Sequence, residues 1–208
     1  DVVNTVHFQH PKMEGKRTDF DFISSIRDKL LEEMTKENID IDIHLGAEVF
    51  FNFNLLDILD NPLITFCNGK YMLIEFQTSM MPEGFENHLY DLKISGVTPI
   101  IAHPERYRPI QENIEIIEKL MNFGCLMQID AGSILGYFGN SCRITANDMI
   151  NRNMVHLMGS DAHNANKRNF CLELASHKIG IEFDHLIKDN PLNILKGNKI
   201  KDVEIKQI

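Results

Sequence analysis

The chain has 208 residues, of which 43% are hydrophobic and 25% are charged, and its formal net charge at pH 7 is −9. This length and composition are typical of one globular domain over residues 1–208, and the acidic balance argues against a nucleic-acid surface or an anionic membrane partner, since both require clustered Lys and Arg. No apolar run is long enough to span a bilayer and no secretion signal is present at the start, so we expect a cytoplasmic protein without membrane insertion.

The first half of the chain alternates between predicted strands and helices. Residues 2–6 form a predicted strand, and Thr18 with Asp21 resembles a capping box at the start of an amphipathic helix of about four turns. Residues 41–51 predict a strand that carries Glu48, residues 55–59 a short helix, and residues 71–76 a strand that carries Glu75. The apolar residues that define the first helix are Phe22, Ile23, Ile26, Leu30 and Met34.

The alternation continues to the end of the chain. A helix from residue 85 is predicted to end at Gly96, followed by a strand over 97–102, a helix over 114–121 and a strand over 125–130. The glycine-rich segment 132–139 predicts a loop or broken helix, and Thr145 with Asp148 predicts a helix start. Residues 154–158 form the last predicted strand, and the chain beyond residue 167 is predicted to be largely helical, with a short final helix at 190–195.

Strands that alternate with helices predict parallel βα units, because a parallel neighbour needs a crossover connection. A polar residue stands at or just after the C-terminal end of most of the apolar strands, and in a closed parallel barrel these ends converge on one face. We therefore expect these side chains to lie together; they are His7, Glu48, Glu75, His103, Asp161 and His163, with His10 nearby.

This set of imidazoles and carboxylates predicts a metal site. Carboxylates gathered at the end of an apolar strand layer repel one another and lose hydration, and a divalent cation removes that cost. Mixed His and carboxylate ligands suit Zn, Mn or Fe, and two or more such ions activate water for attack on a phosphate ester. Arg106 and Arg168 would then clamp the phosphoryl oxygens, with Lys167 a weaker candidate. Taken singly, each residue also has a structural explanation, such as a salt bridge for Glu75 or an N-cap for Asp161.

The cysteines argue against thiolate chemistry. Cys67, Cys125, Cys142 and Cys171 are widely separated, which is typical of packing residues rather than of a disulfide framework or a zinc knuckle. None is followed six positions later by the arginine that a cysteine-phosphatase loop requires. A glycine-rich nucleotide loop with its lysine is also absent from the sequence.

Five strings of the sequence resemble the polymerase and histidinol phosphatase (PHP) superfamily. The strings that carry the resemblance are Thr5-Val-His7, Gly46-Ala-Glu48, Leu73-Ile-Glu75-Phe76, Ile101-Ala-His103-Pro-Glu105-Arg106-Tyr107 and Gly159-Ser-Asp161-Ala-His163-Asn164. Within the superfamily the chain is most similar, from residue 1 to about residue 196, to the manganese-dependent bacterial tyrosine phosphatases of capsule and exopolysaccharide synthesis.

The resemblance implies an α/β fold, a distorted (βα)7 TIM-like barrel with a multinuclear metal cluster at the C-terminal strand ends. By motif, the metal ligands would be His7, Glu48, Glu75, His103, Asp161 and His163. Arg106 and Arg168 would hold the phosphate while a metal-bridging hydroxide attacks phosphorus. The implied ion is Mn2+, with Fe or Zn as alternatives, and the implied partner is the phosphotyrosine-containing tail of a bacterial tyrosine autokinase; oligomers are compatible with the sequence.

One departure from the family concerns its first strand, which carries an Asp-x-His-x-His motif not found here. The chain is either N-terminally truncated relative to the family or a degenerate member, and we expect truncation because a degenerate site would also have lost other ligands. Thr-Val-His stands where the family usually has Thr-Pro-His, which leaves the ligand in place.

Two alternative functions stay open on the sequence alone. One is a phosphatase of the same superfamily that acts on a small metabolite such as histidinol phosphate. The other is a regulatory module that docks on a kinase tail without turnover.

Overall fold

The computed structural model describes residues 1–201 and 203–206. Its centre is one sheet of six strands, in which every adjacent pair is parallel and the spatial order follows the chain order. The predicted alternation of strands and crossovers is therefore confirmed. The strands are β1 (Val2–Phe8), β2 (Ile43–Phe50), β3 (Tyr71–Glu75), β4 (Thr98–Ala102), β5 (Leu126–Asp130) and β6 (Leu157–Gly159).

Eight α-helices lie in the described part of the chain, most of them in the crossovers between successive strands. They are α1 (Phe20–Lys36), α2 (Phe85–Ile94), α3 (Arg108–Glu112), α4 (Glu115–Asn122), α5 (Ala131–Leu135), α6 (Asn140–Asn151), α7 (Leu172–Ile179) and α8 (Asp189–Leu195). Short 3-10 segments occur at Pro11–Met13, Pro104–Arg106 and Ile181–Leu186. None of the helices described is long and apolar enough to cross a bilayer.

Two apolar layers follow from the alternation of side chains along each strand. The larger layer packs the outer face of the sheet against the helices and includes Met72, Ile74 and Ile101. The smaller layer, on the inner face, joins Leu73 and Ile100 to residues that include Phe66, Ala102, Leu157 and Ile194. Residues of the inner layer line the same cavity as polar side chains from the strand ends.

The sheet is curled into an open half-barrel. β1 pairs only with β2, and β6 pairs only with β5, among the residues described. A cavity of about 500 Å3 is lined by residues of both β1 and β6, so the two unpaired edges face a common space.

The structure corrects four local predictions. Asp19, not Thr18, caps α1, because its carboxylate accepts a hydrogen bond from Phe22 N at 3.0 Å and is held by Arg17. Residues 55–59 form isolated turns with i to i+3 hydrogen bonds instead of a helix; Pro62, which has no N–H, lies three residues beyond. Thr145 lies inside α6, which already begins at Asn140. The last strand is limited to Leu157–Gly159, so the first part of the 154–158 prediction is wrong.

The apolar stripe of α1 is less buried than its period predicts. Ile23 packs against the main core, but Ile26 and Leu30 are 47% and 48% exposed. The helix is therefore amphipathic in sequence, while much of its apolar face is not covered by any part of the chain that the structure describes.

Candidate functional site

The register of the parallel strands brings the predicted ligands together. His7 on β1 lies directly opposite Glu48 on β2, and Phe50 on β2 lies opposite Glu75, the last residue of β3. Because β4 continues the same sheet, His103 follows at the next strand end. The sequence reasoning that placed these side chains at one face is thus matched by the observed pairing.

His7, Glu48 and Glu75 form a group suited to a metal ion. One ligand atom from each residue lies within 4.8 Å of the other two, and His7 Nε2 lies 3.5 Å from Glu48 Oε2. Glu75 Oε2 is buried without a hydrogen-bond partner, and His10 Nε2 lies 3.7 Å from it. A buried carboxylate oxygen with no donor is costly unless a cation is bound, so this donor set fits a divalent ion.

The pKa of Glu75 also reflects the free-energy cost of a buried negative charge. Burial, followed by the nearby charge of Glu48, raises the pKa of Glu75 to about 7. The two carboxyl groups cannot both ionise easily at this distance without a positive charge between them. A bound cation would favour the ionised form of both.

His103 contacts the carboxylates of both Glu48 and Glu75. The side chain is 4% exposed, and its Nε2 lies 3.0 Å from Glu48 Oε1 and 3.6 Å from Glu75 Oε1. Burial lowers the pKa of His103, but the hydrogen bond and charge of Glu48 outweigh it, so the pKa is raised overall. The backbone of His103 has φ of 34°, in the left-handed region that non-glycine residues rarely adopt. Such strain is common where a side chain is held for function.

Asp161 and His163 line the same cavity but make different contacts. Asp161, also with positive φ (44°), is ion-paired with both Arg106 and Arg168, the first at 2.8 Å. His163 Nδ1 lies 2.9 Å from the carbonyl oxygen of Asp161, and its ring centroid is 5.4 Å from that of His7. Five of the six predicted ligands thus line one cavity, all except Glu75, and among the residues described the compact metal group consists of His7, Glu48 and Glu75.

Tyr107 connects the strand ends that carry Glu75 and His103. Its hydroxyl donates to Ala102 O at 2.6 Å and accepts from Phe76 N at 2.9 Å, and the side chain is fully buried. Each of these backbone groups belongs to a residue adjacent to a predicted ligand. The sequence placed Tyr107 in a specific motif but gave no role to it, because this bridge exists only in three dimensions.

A second buried carboxylate pair lies beside the first group, and the sequence gave no functional role to it. Glu105 Oε1 accepts a hydrogen bond from Asp130 N at 3.0 Å, and Arg106 Nη1 lies 3.5 Å from Asp130 Oδ2. Burial, then the charges of Glu105 and Asp161, raises the pKa of Asp130 to about 7. Asp130 ends β5, so its strand-end position was the signal that could have indicated it.

His156 and three of the four cysteines are buried. His156 Nδ1 accepts a hydrogen bond from Met127 N at 3.0 Å inside the core, which agrees with a structural role. All four cysteines are free thiols, and three of them are buried. Burial raises the pKa of the Cys125 thiol to about 12, so this side chain supplies no thiolate near neutral pH.

Comparison with known proteins identifies relatives for nearly the whole chain. A family model described as "Capsular polysaccharide synthesis, CpsB/CapC" matches residues 1–196. The tyrosine-protein phosphatase YwqE of Bacillus subtilis is 32% identical over 178 residues, which cover 83% of this chain and 70% of YwqE. The putative tyrosine-protein phosphatase CapC of Staphylococcus aureus is 32% identical over 174 residues, which cover 83% of this chain and 67% of CapC.

The solved structures give the same result. One chain, from a study of YwqE from Bacillus subtilis and CpsB from Streptococcus pneumoniae described as unique metal-dependent tyrosine phosphatases, superposes with a TM-score of 0.79 and 30% identity. The match covers 87% of the present chain and 76% of the solved one. The fold and the sequence therefore point to the same relatives.

Proposed function

The chain belongs to the capsular polysaccharide synthesis CpsB/CapC family, and we propose that it is a metal-dependent protein-tyrosine phosphatase. Its substrate would be the phosphotyrosine-containing tail of a bacterial tyrosine autokinase that controls capsule or exopolysaccharide synthesis. The single observation that carries the proposal is the group of His7, Glu48 and Glu75, in a chain whose relatives are named tyrosine-protein phosphatases. His7 and Glu48 line the same cavity as Asp161, which is ion-paired with Arg106 and Arg168.

The proposed ligands are the six strand-end residues: His7, Glu48, Glu75, His103, Asp161 and His163. The donor chemistry supports Mn2+ as the ion, with Fe or Zn as alternatives, and the number of ligands supports a multinuclear cluster. When bound, such ions activate the attacking water and stabilise the negative charge on the phosphoryl oxygens. Tyr107 would keep two of the ligand-bearing strand ends in register through its two buried hydrogen bonds.

The arginines supply the recognition of the phosphoryl group. The Arg106 and Arg168 guanidinium groups meet at Asp161 beside the cavity, and each offers a planar fork of N–H donors that matches phosphoryl oxygens. Nε of Arg168 is buried and has no hydrogen-bond partner among the residues described. The two guanidinium groups would orient the phosphorus atom for in-line attack and offset its charge.

Two finer points belong to the same proposal. A seventh strand would complete a distorted (βα)7 barrel, which is supported by the unpaired edges of β1 and β6 that face one cavity; an experimental structure of the protein checks this. A cytoplasmic location would follow from the substrate, because a tail phosphorylated by an ATP-dependent kinase is formed where ATP is available.

The test is phosphate release from a phosphotyrosyl peptide by the purified protein. We expect release that requires Mn2+, stops with a chelator, and continues after thiol alkylation. We also expect kcat/KM for the peptide to exceed that for histidinol phosphate. Release that is lost on alkylation but survives chelation would contradict the proposal, and higher kcat/KM for histidinol phosphate would replace the substrate with a small metabolite.

A further inference from the structure

Both proposed phosphate-binding arginines lie against one aromatic ring. The Arg106 guanidinium carbon is 4.6 Å from the ring centroid of Phe138, and that of Arg168 is 5.6 Å from the same centroid. The arginines come from distant parts of the sequence, the 3-10 segment after β4 and the segment between β6 and α7. Phe138 is therefore a contact that they share besides Asp161.

The ring of Phe138 is held in place by its own loop. Residues 136–139 connect α5 to α6, and Gly136 and Gly139 at its two ends have φ values of 89° and 93°, which favour glycine. Tyr137 N donates to Gly132 O at 2.8 Å, which folds the loop back on α5. A Cβ at Gly132 would lie 2.8 Å from Phe138 Cε2, so the ring occupies the space that any other residue at position 132 would need.

Asp161 alone would not hold the two guanidinium groups in a phosphate-binding arrangement. Both arginines donate to Asp161, which is also a proposed metal ligand. A bound metal ion would therefore compete with the arginines for the carboxylate oxygens. A cation over an aromatic face gains stabilisation without using its N–H donors. Stacking on Phe138 therefore supports both guanidinium groups without using any of their N–H donors, and those that do not donate to Asp161 stay available for phosphoryl oxygens.

We infer that Phe138 is a positioning residue that holds Arg106 and Arg168 in one phosphate-binding clamp. This inference rests on the proposed function, because Phe138 would support the two arginines that bind the phosphoryl group at that site. The alternative is that Phe138 only fills space between α5 and the loop. In that case an aliphatic side chain of similar volume would serve equally well.

The experiment compares three variants of the metal-loaded protein. Phe138→Leu keeps apolar volume but removes the aromatic face, and Phe138→Tyr retains that face. Tyr137→Leu is the matched control, because Tyr137 lies in the same loop but is 57% exposed and is not stacked on a guanidinium group in the structure described. Metal content, the melting temperature and the affinity for inorganic phosphate by calorimetry are measured for each, with KM and kcat for a phosphotyrosyl peptide.

We expect Phe138→Leu to weaken phosphate binding about tenfold and to raise KM for the peptide, with unchanged metal content. Phe138→Tyr and Tyr137→Leu should stay within about twofold of the parent protein. The inference is overturned if Phe138→Leu binds phosphate as tightly as the parent, if Tyr137→Leu weakens binding as strongly, or if the parent binds no phosphate.

Two further results distinguish a failure of the inference from a failure of the variant to fold and from a failure of the proposed function. If Phe138→Leu does not fold, Gly132→Ala replaces it, because its added methyl group must displace the ring; unchanged phosphate affinity in that variant would overturn the inference. A parent protein that binds phosphate but hydrolyses no phosphotyrosine refutes the proposed function, while the comparison of phosphate affinities still decides the role of Phe138.

Discussion

Asp130→Asn is expected to stabilise the metal-free protein, and more so as pH rises. The Asp130 side chain is 1% exposed, and its Oδ2 has no hydrogen-bond partner among the described residues. Asparagine keeps an oxygen that can accept from Gly132 N, as Asp130 Oδ1 does at 2.7 Å, but it carries no charge. The substitution therefore removes a buried carboxylate, together with its 3.5 Å ion pair to Arg106, and retains the hydrogen bond from Gly132 N.

The magnitude follows from the pKa of Asp130, which rises from 3.8 to about 7 on folding. Between these pH values the folded protein holds a proton that the unfolded chain has released, so the stability of the parent falls as pH rises through this window. At about 1.4 kcal/mol for each pH unit, the full effect is roughly 4 kcal/mol at pH 8. We expect about half of this to be measured, because the surroundings of an ionised carboxylate relax.

The assay is urea unfolding followed by circular dichroism in the presence of a chelator. Asp130→Asn should be about 2 kcal/mol more stable than the parent at pH 8 and nearly equal to it at pH 4. Asp57→Asn, an exposed position, is the control and should show no such pH-dependent difference. Equal or lower stability of Asp130→Asn at pH 8 would refute the reasoning, since the buried charge would then be stabilised by its neighbours. Glu75 has a similarly raised pKa, but it is present in both proteins and cancels in the comparison.

Three further substitutions test the site and its support. Gly46→Ala should destabilise the protein by about 1–3 kcal/mol in urea unfolding, because the new Cβ would lie 2.0 Å from Cε1 of the buried Phe66; unaltered stability would mean that the inner layer repacks freely. Tyr107→Phe should cost about 1–3 kcal/mol, since two buried backbone groups lose their partner, and a cost near zero would argue that water replaces the hydroxyl. His103→Ala should reduce both bound metal and rate, whereas Arg106→Ala should leave metal content nearly intact in elemental analysis and raise KM; the opposite pattern would exchange the proposed roles of the two residues.

The sequence determined the order of the strands and the residues at their ends. Alternating apolar runs and amphipathic segments predicted parallel βα units, and His7, Glu48, Glu75 and His103 were found from their position after buried strands. This was possible because each βα unit places its next strand beside the previous one, so strands that follow one another in the sequence are also neighbours in the sheet. The family motifs then gave these residues a chemistry.

The tertiary structure decided which strand-end residues meet and what holds them. Asp130 and Phe138 were not singled out from the sequence. The strand-end position of Asp130 was visible there, but its burial and its distance from Arg106, like the contact of Phe138 with the arginines, depend on how the loops return over the sheet. Ile26 lies on the apolar stripe of α1 and is still 47% exposed, since a helical period shows which residues share a face but not whether another element covers it. Sequence periodicity records the geometry of a single element, whereas contacts between distant segments arise only when the whole chain packs.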